Sequence, residues 1–127
     1  MKENISLREL VYKYIKNKYN CKPEYLWKKF PDYAVFRNKY NHKWFSIVMN
    51  VKKSVLCFDS DKTEYLDIIN IKCDPLLKDL LIEEEGYFPA YHMNKVNWLT
   101  IILDKTADIN EVYKMIDMSY EIVDNKK

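Results

Sequence analysis

Lys43-Trp44-Phe45-Ser46-Ile47-Val48-Met49-Asn50-Val51 is the stretch whose pattern decides the fold. Phe45, Ile47, Met49 and Val51 recur at every second position, with Trp44, Ser46 and Asn50 on the alternate side. A period of two predicts a β-strand with one face in a core. Just before it, residues 33–37 are aromatic and β-branched. The two segments are separated by Asn38-Lys39-Tyr40-Asn41-His42, a polar hairpin tip with asparagine available for positive φ. Just after it, residues 55–58 and 65–72 read as two more strands, joined by the turn Asp59-Ser60-Asp61-Lys62-Thr63. The expectation is an antiparallel meander of four strands.

Helical patterns flank this meander. Ser6-Leu7-Arg8-Glu9 has the form of a capping box, in which the Ser6 hydroxyl and Glu9 carboxylate satisfy orphan amides reciprocally. Leu7, Leu10, Val11, Tyr14 and Ile15 follow at helical spacing, so the first helix is expected over residues 6–18. Asp74-Pro75 marks a second helix, with Asp as cap and Pro at the first helical position, carried by Leu77, Leu80 and Leu81 to Glu83-Glu84-Glu85-Gly86. Three acids at a helix C-terminus oppose the macrodipole. Residues 87–94 read as extended and 98–103 as a strand. A final helix is striped by Ile109, Val112, Tyr113, Ile116, Tyr120 and Val123 behind an Asp108–Glu111 capping box. This order predicts an α+β fold in which helices pack on one face of an antiparallel sheet, one domain over residues 1–127.

Composition narrows the function classes. With 127 residues, 48% hydrophobic and 31% charged, the chain can bury a core and lies outside the disordered range. No apolar run reaches the roughly 18 residues that span a bilayer, and the first residues lack a signal-peptide pattern, so a cytoplasmic location and no membrane partner are expected. The single glycine, Gly86, excludes Gly-rich phosphate loops and leaves positive φ mostly to the eleven asparagines. Cys21, Cys57 and Cys73 form no C-x-x-C pair, so no metal site or cofactor is expected, only buried thiols. Asp59-x-Asp61-x-Thr63 lacks the Gly and Glu of a calcium loop and reads as a turn. Charge is unevenly divided. Residues 1–53 hold 13 Lys/Arg against 4 acids, a net +9, and the remainder carries −7. That asymmetry points to an anionic partner for the first half.

Pro89-Ala90-Tyr91-His92-Met93-Asn94-Lys95-Val96-Asn97-Trp98 resembles the signature of the MmcQ/YjbR family. Val35-Phe36 with Lys43-Trp44-Phe45, Lys72-Cys73 before a helix, and Ser119-Tyr120 in the last helix match the rest of its pattern. Asn97 stands where the family often has a basic residue or His. The resemblance implies a two-layer fold similar to CyaY, the bacterial frataxin, and a double-wing mode of DNA binding. Iron binding on an acidic first helix does not carry over, because Lys13 and Lys16 make this helix basic.

Three readings of function follow. The leading one is a DNA-binding or regulatory module. Arg37, Lys39 and Lys43 of the hairpin, with Lys28 and Lys29, hold phosphates, and Asn38, Asn41 or Arg37 reaches base edges. Lys13, Lys16 and Lys18 widen the footprint. Tyr12, Tyr19, Tyr25, Trp27 and Tyr40 supply rings that stack on single strands. Tyr91, His92, Asn94, Lys95 and Trp98 form a second contact or brace the sheet. The next reading is a protein-interaction module without nucleic-acid affinity. The last is a small-ligand binder or enzyme centred on His92, Asn94 and Lys95; in an extended stretch His92 and Asn94 face one ligand together, while Tyr91, Met93 and Lys95 point the other way. No nucleophile or acid partner lies at a motif spacing from His92, so no catalytic residue is assigned.

Overall fold

The computed structural model describes residues 5–56, 64–104 and 107–124. Helix α1 (Leu7–Tyr19) precedes strands β1 (Ala34–Arg37), β2 (Trp44–Lys52) and β3 (Tyr65–Lys72). Then come helix α2 (Pro75–Leu81), strands β4 (Tyr87–Pro89) and β5 (Trp98–Ile102), and helix α3 (Ile109–Asp124). The five strands form an antiparallel sheet in the order β1-β2-β3-β5-β4. The fold is α+β, as the patterning predicts, although among the described residues the meander has three strands and not four. Lys53–Val55 forms a 3-10 turn where the extra strand was expected to begin, and residues 57–63 lie outside the described residues. The third pairing of the sheet instead joins β3 to β5.

The alternation in residues 43–51 breaks once, and the break matters. Phe36 pairs with Ser46 while Arg37 pairs with Trp44, so Phe45 is the extra residue of a β-bulge. Phe45 therefore joins the helix-side core with Phe36, Val48, Ile69 and Ile71, whereas Ile47, Met49 and Val51 line the opposite face. Trp44 follows them to that opposite face. The expected sides of Phe45 and Trp44 are thus exchanged. The Ser119 hydroxyl of α3 donates to the carbonyl of the bulged residue at 2.5 Å, and the hydroxyl oxygen accepts the Lys72 amide at 2.8 Å. One buried hydroxyl so ties β2, β3 and α3 together.

On the helix side, Val11 and Ile15 of α1 and Val112, Ile116 and Val123 of α3 close the core. Helix α1 starts with the expected capping box, whereas α3 keeps only its Asp108 cap. Ser6 Oγ accepts the Glu9 amide and Glu9 returns a carboxylate to the Ser6 amide. Asp108 accepts the Asn110 amide, while Glu111 lies 3.5 Å from Lys114 instead of closing a box. Helix α2 ends at Leu81, so Glu83-Glu84-Glu85 lie in the turns that follow it and not in its last turn. Asn20 takes the left-handed conformation that stops α1, its amide donating to the Lys16 carbonyl. The other non-glycine residues with positive φ among the described residues are the two histidines, His42 and His92, and not further asparagines.

An aromatic and acidic seam joins α1 to α3. Tyr14 stacks on Tyr113 at 4.0 Å and Tyr19 on Tyr120 at 3.9 Å, and Tyr19 and Tyr120 both meet Phe45 edge-on. Asp117 accepts the Tyr14 and Tyr19 hydroxyls at 2.6–2.8 Å and the Lys18 ammonium at 3.0 Å. Burial disfavours the Asp117 carboxylate, but the hydroxyls of Tyr19 and Tyr14 and the Lys18 ammonium outweigh it and hold the carboxyl below the ordinary range.

Two expectations follow from these buried polar contacts. Ser119→Ala leaves the Phe45 carbonyl and the Lys72 amide without their partner and lowers unfolding free energy by about 1–3 kcal/mol, measured by urea denaturation. An unchanged midpoint would mean that the bulge stands without it. A carboxyl held below its unfolded pKa stabilises the fold at pH above the unfolded value, and that contribution is lost as pH falls through the folded value. Asp117→Asn therefore destabilises at neutral pH and flattens the acid limb of a stability–pH profile. A parallel acid limb in wild type and variant would contradict the assignment.

Candidate nucleic-acid interface and aromatic pocket

The hairpin tip is less free than its composition suggests. Asn38 is fully buried: its side-chain oxygen accepts the Tyr40 and Asn41 amides, and its amide donates to Asp124 at 2.9 Å. Asn41 donates to the Val123 carbonyl and accepts the Lys43 amide. Both asparagines thus build the turn and fasten it to the end of α3, and Asn38 has no reach to a base edge. With their side chains so engaged, the left-handed position falls on His42, φ 64°. Arg37 is also held, 3.1 Å from Glu24 with its guanidinium 5.7 Å from the Trp44 ring centre. Lys39 and Lys43 are exposed, as are Lys28 and Lys29.

Folding neutralises part of the basic half and leaves part open. Arg8 pairs with Asp67, Lys18 with Asp117, Arg37 with Glu24 and Lys53 with Glu64. Among the described residues, Lys13, Lys16, Lys22 and Lys39 form no ion pair and line two adjoining grooves. One, of about 400 Å³, runs from Tyr12, Lys13 and Lys16 to Lys22 and Pro23. The next, of about 320 Å³, continues from Lys22 to Arg37, Lys39 and His42. Lys22 was missed as a site residue. Its signal was Asn20, which stops α1 and turns Cys21-Lys22-Pro23 back between the helix and β1. Of the rings expected to stack, Tyr12 lies edge-on to Phe36 and burial pushes its hydroxyl up to about 12. Tyr19 is sandwiched in the core seam. Tyr25 and Tyr40 remain 52% and 77% exposed.

The Tyr91–Lys95 run is not extended, because His92 has φ 60° and breaks the alternation. The backbone of Tyr91 is clamped to the sheet: its amide donates to Thr100 Oγ1 at 2.9 Å and its carbonyl accepts Asn70 Nδ2 at 3.0 Å. Thr100 in turn donates to Asn70 Oδ1, and both residues are fully buried. Asn94 accepts the Val96 and Asn97 amides, and Lys95 donates to the Ala90 carbonyl at 2.7 Å. Trp98 is buried beneath Lys72. Asn94 and Lys95 therefore shape the element; His92 faces an aromatic pocket, whereas Lys95 lines a separate, smaller groove with Leu56, Phe88 and Tyr91.

The aromatic pocket lies on the sheet face that the helices leave uncovered. Trp27, Phe30 and Tyr33 form one wall; Trp44 and Met49 rise from β2, and His92 and Met93 close the far side around about 280 Å³. Two tandem turns make the wall, with the Phe30 amide donating to the Trp27 carbonyl and the Tyr33 amide to the Phe30 carbonyl. Residues three apart thus project together, and Lys28-Lys29 occupy the tip of the first turn. Trp27 meets Trp44 and Tyr33 edge-on at 6.0 Å, and Phe30 stacks on Tyr33 at 4.7 Å. The sequence signal was the aromatic triplet at positions 27, 30 and 33, which reads as a plain connection unless the turns are recognised.

The thiols of Cys21 and Cys73 are buried. Burial raises Cys21, and burial together with Asp74 pushes Cys73 up to about 11, so its place before α2 does not make it a thiolate. Cys57 and the Asp59–Thr63 turn lie outside the described residues. Among the described residues no helix is long and apolar enough to cross a membrane.

Comparison with known proteins gives a consistent set of relatives. Residues 16–122 match the YjbR family model. The Bacillus subtilis protein YyaQ is 38% identical over 115 residues, covering 91% of this chain and 96% of that one. YjbR of Escherichia coli K12 is 32% identical over 54 residues, 42% of this chain and 46% of its own. A crystal structure of a Pseudomonas syringae protein, 36% identical, superposes with a TM-score of 0.86 over 91% of this chain and 97% of its own. Deinococcus radiodurans DR2400, 19% identical, shares the fold with a TM-score of 0.71 over 95% of this chain and 80% of its own.

Thr100→Val removes the acceptor of the Tyr91 amide while keeping the shape of the strand. Hydrogen exchange at Tyr91 is expected to speed by about tenfold or more, with exchange in β2 and β3 unchanged. Unaltered exchange at Tyr91 would show that the element is held by something else.

Proposed function

The chain belongs to the YjbR family, and on that footing we propose that it binds nucleic acid, with its exposed lysines along the α1–β1 edge gripping phosphates. The observation that carries this reading is the pair of adjoining grooves lined by Lys13, Lys16, Lys22 and Lys39, cations that form no ion pair among the described residues. Cations left open after folding neutralises their neighbours are the ones able to displace counterions from a phosphate backbone. Lys43, Lys28 and Lys29 extend the footprint around β1, an edge strand of the sheet. Arg37, held by Glu24, takes a lesser part. The buried Asn38 gives no base contact, so the binding is to backbone and not to a major-groove sequence.

A protein partner is the second reading. Leu76 and Leu80 stand one turn apart on α2, 78% and 69% exposed, and would suit an apolar contact.

Fluorescence anisotropy of random duplex and single-stranded DNA, at about 50 and about 200 mM salt, tests the first reading. Binding is expected to weaken steeply with salt. Lys16, Lys22 and Lys39 changed together to alanine lower the log–log salt slope by about 0.9 per lysine on duplex, whereas Arg37→Ala changes it little. Absence of binding at the lower salt would overturn the proposal and leave the α2 surface as the place to look for a partner.

A further inference from the structure

We infer that the pocket between Trp27, Phe30, Trp44 and His92 is a binding site for a single nucleobase whose attached phosphate rests on the Lys28-Lys29 turn. The inference deepens the nucleic-acid reading, and rests on it for the source of the base, but it draws on a different part of the molecule. The walls come first. Trp27, Phe30, Tyr33 and Trp44 supply four aromatic rings, and Met49 and Met93 add soft, adaptable surface. A volume of about 280 Å³ lies at the lower edge of small-molecule sites, about 300–1,000 Å³, which suits one ring system rather than a dinucleotide or an acyl chain.

Charge then selects among ring-sized ligands. An aromatic cage of this kind also suits a quaternary ammonium, but the turn that builds its wall carries two exposed lysines. Lys28 and Lys29 are the central residues of the turn whose ends, Trp27 and Phe30, line the pocket, and both are exposed. Arg37 lies against the Trp44 ring on the other side. A planar ring bearing an anionic group fits walls and lysine-bearing turn together, and a nucleotide has both. The site is also built to last: the Asn70–Thr100 clamp on the Tyr91 backbone holds the His92 wall, and the strand bulge holds Trp44.

Two sources supply that chemistry, an unpaired residue within a strand and a free mononucleotide. Tryptophan fluorescence distinguishes them, because Trp27 and Trp44 line the pocket whereas Trp98 is buried under Lys72. The full chain is titrated with a short oligothymidylate, with the same strand made of abasic residues, with thymidine monophosphate and with neutral thymidine. Saturable quenching is expected with the oligothymidylate, roughly tenfold tighter than with the abasic strand, the value of about one stacked base. Phe30→Ala, at a ring 48% exposed, removes most of that difference. Should Phe30→Ala fail to fold, Lys28→Glu with Lys29→Glu serves instead, weakening the monophosphate severalfold and leaving thymidine unaffected.

Equal binding of the two strands, indifferent to Phe30, overturns the pocket while leaving phosphate binding along the lysine grooves intact. Quenching by the monophosphate alone, dependent on Phe30, supports the pocket with a free nucleotide as its ligand and removes the strand reading. No quenching by any of the four overturns it.

Discussion

The bulge at Phe45 is the constraint on which most of the molecule depends. One extra residue in β2 turns Phe45 toward the helices and Trp44 toward the opposite face. Without it, a regular strand would put Trp44 among the helices and Phe45 on the open side, since a one-residue shift exchanges the faces of everything beyond it. The bulge also frees a carbonyl in a buried setting, where an unpaired acceptor costs about 1–3 kcal/mol. Ser119 meets that carbonyl and the Lys72 amide with one hydroxyl. A helix residue therefore determines how a strand can bend, and through Trp44 it determines what the far face of the sheet presents.

Much of this architecture was legible because local and global signals agree. The capping box at Ser6, the Asp74-Pro75 helix start and the stripes of α1 and α3 each specify an element from a few residues. What could not be read was non-local. The bulge has no marker in residues 43–51, because it is set by pairing to β1 and by a serine more than seventy positions away. The strand expected at residues 55–58 failed at Val55, which lies in a 3-10 turn. The neighbour of β3 is then β5, a pairing no local pattern reveals. In the 91–95 run, an apparent alternation concealed His92 in the left-handed region, a conformation fixed by the clamp on Tyr91 and not by propensity.

The site was legible to a lesser degree, for a related reason. Sequence shows how many charges there are but not which will meet. The net +9 of the first half survives only in part, since Arg8, Lys18, Arg37 and Lys53 find carboxylates, three of them contributed by the acidic half. Arg37, the cation most attractive on chemical grounds, is among those held. Lys22, inconspicuous in the chain, becomes central because α1 ends one turn before it. Hydrogen-bonding side chains behave likewise: Asn38 and Asn41, attractive as base readers, are consumed by the turn they build.

The asymmetry of the sheet follows from its connections. All three helices contribute to the core cluster on one face, whereas the opposite cluster is completed largely by loop residues: Trp27, Leu56, Tyr91 and Met93. Loops cover a sheet less completely than helices do, because each must keep its own backbone groups satisfied in turns and side-chain bonds. Tandem turns bring in Trp27, Phe30 and Tyr33 at intervals of three, and an Asx turn at Asn94 ends the other flank. Between them the aromatic rings face each other across an opening where a continuous helix would have filled the space. A recess on the uncovered face, walled by rings beside a lysine-bearing turn, is thus a direct consequence of covering that face with short turns, and the bulge that aims Trp44 supplies its remaining wall.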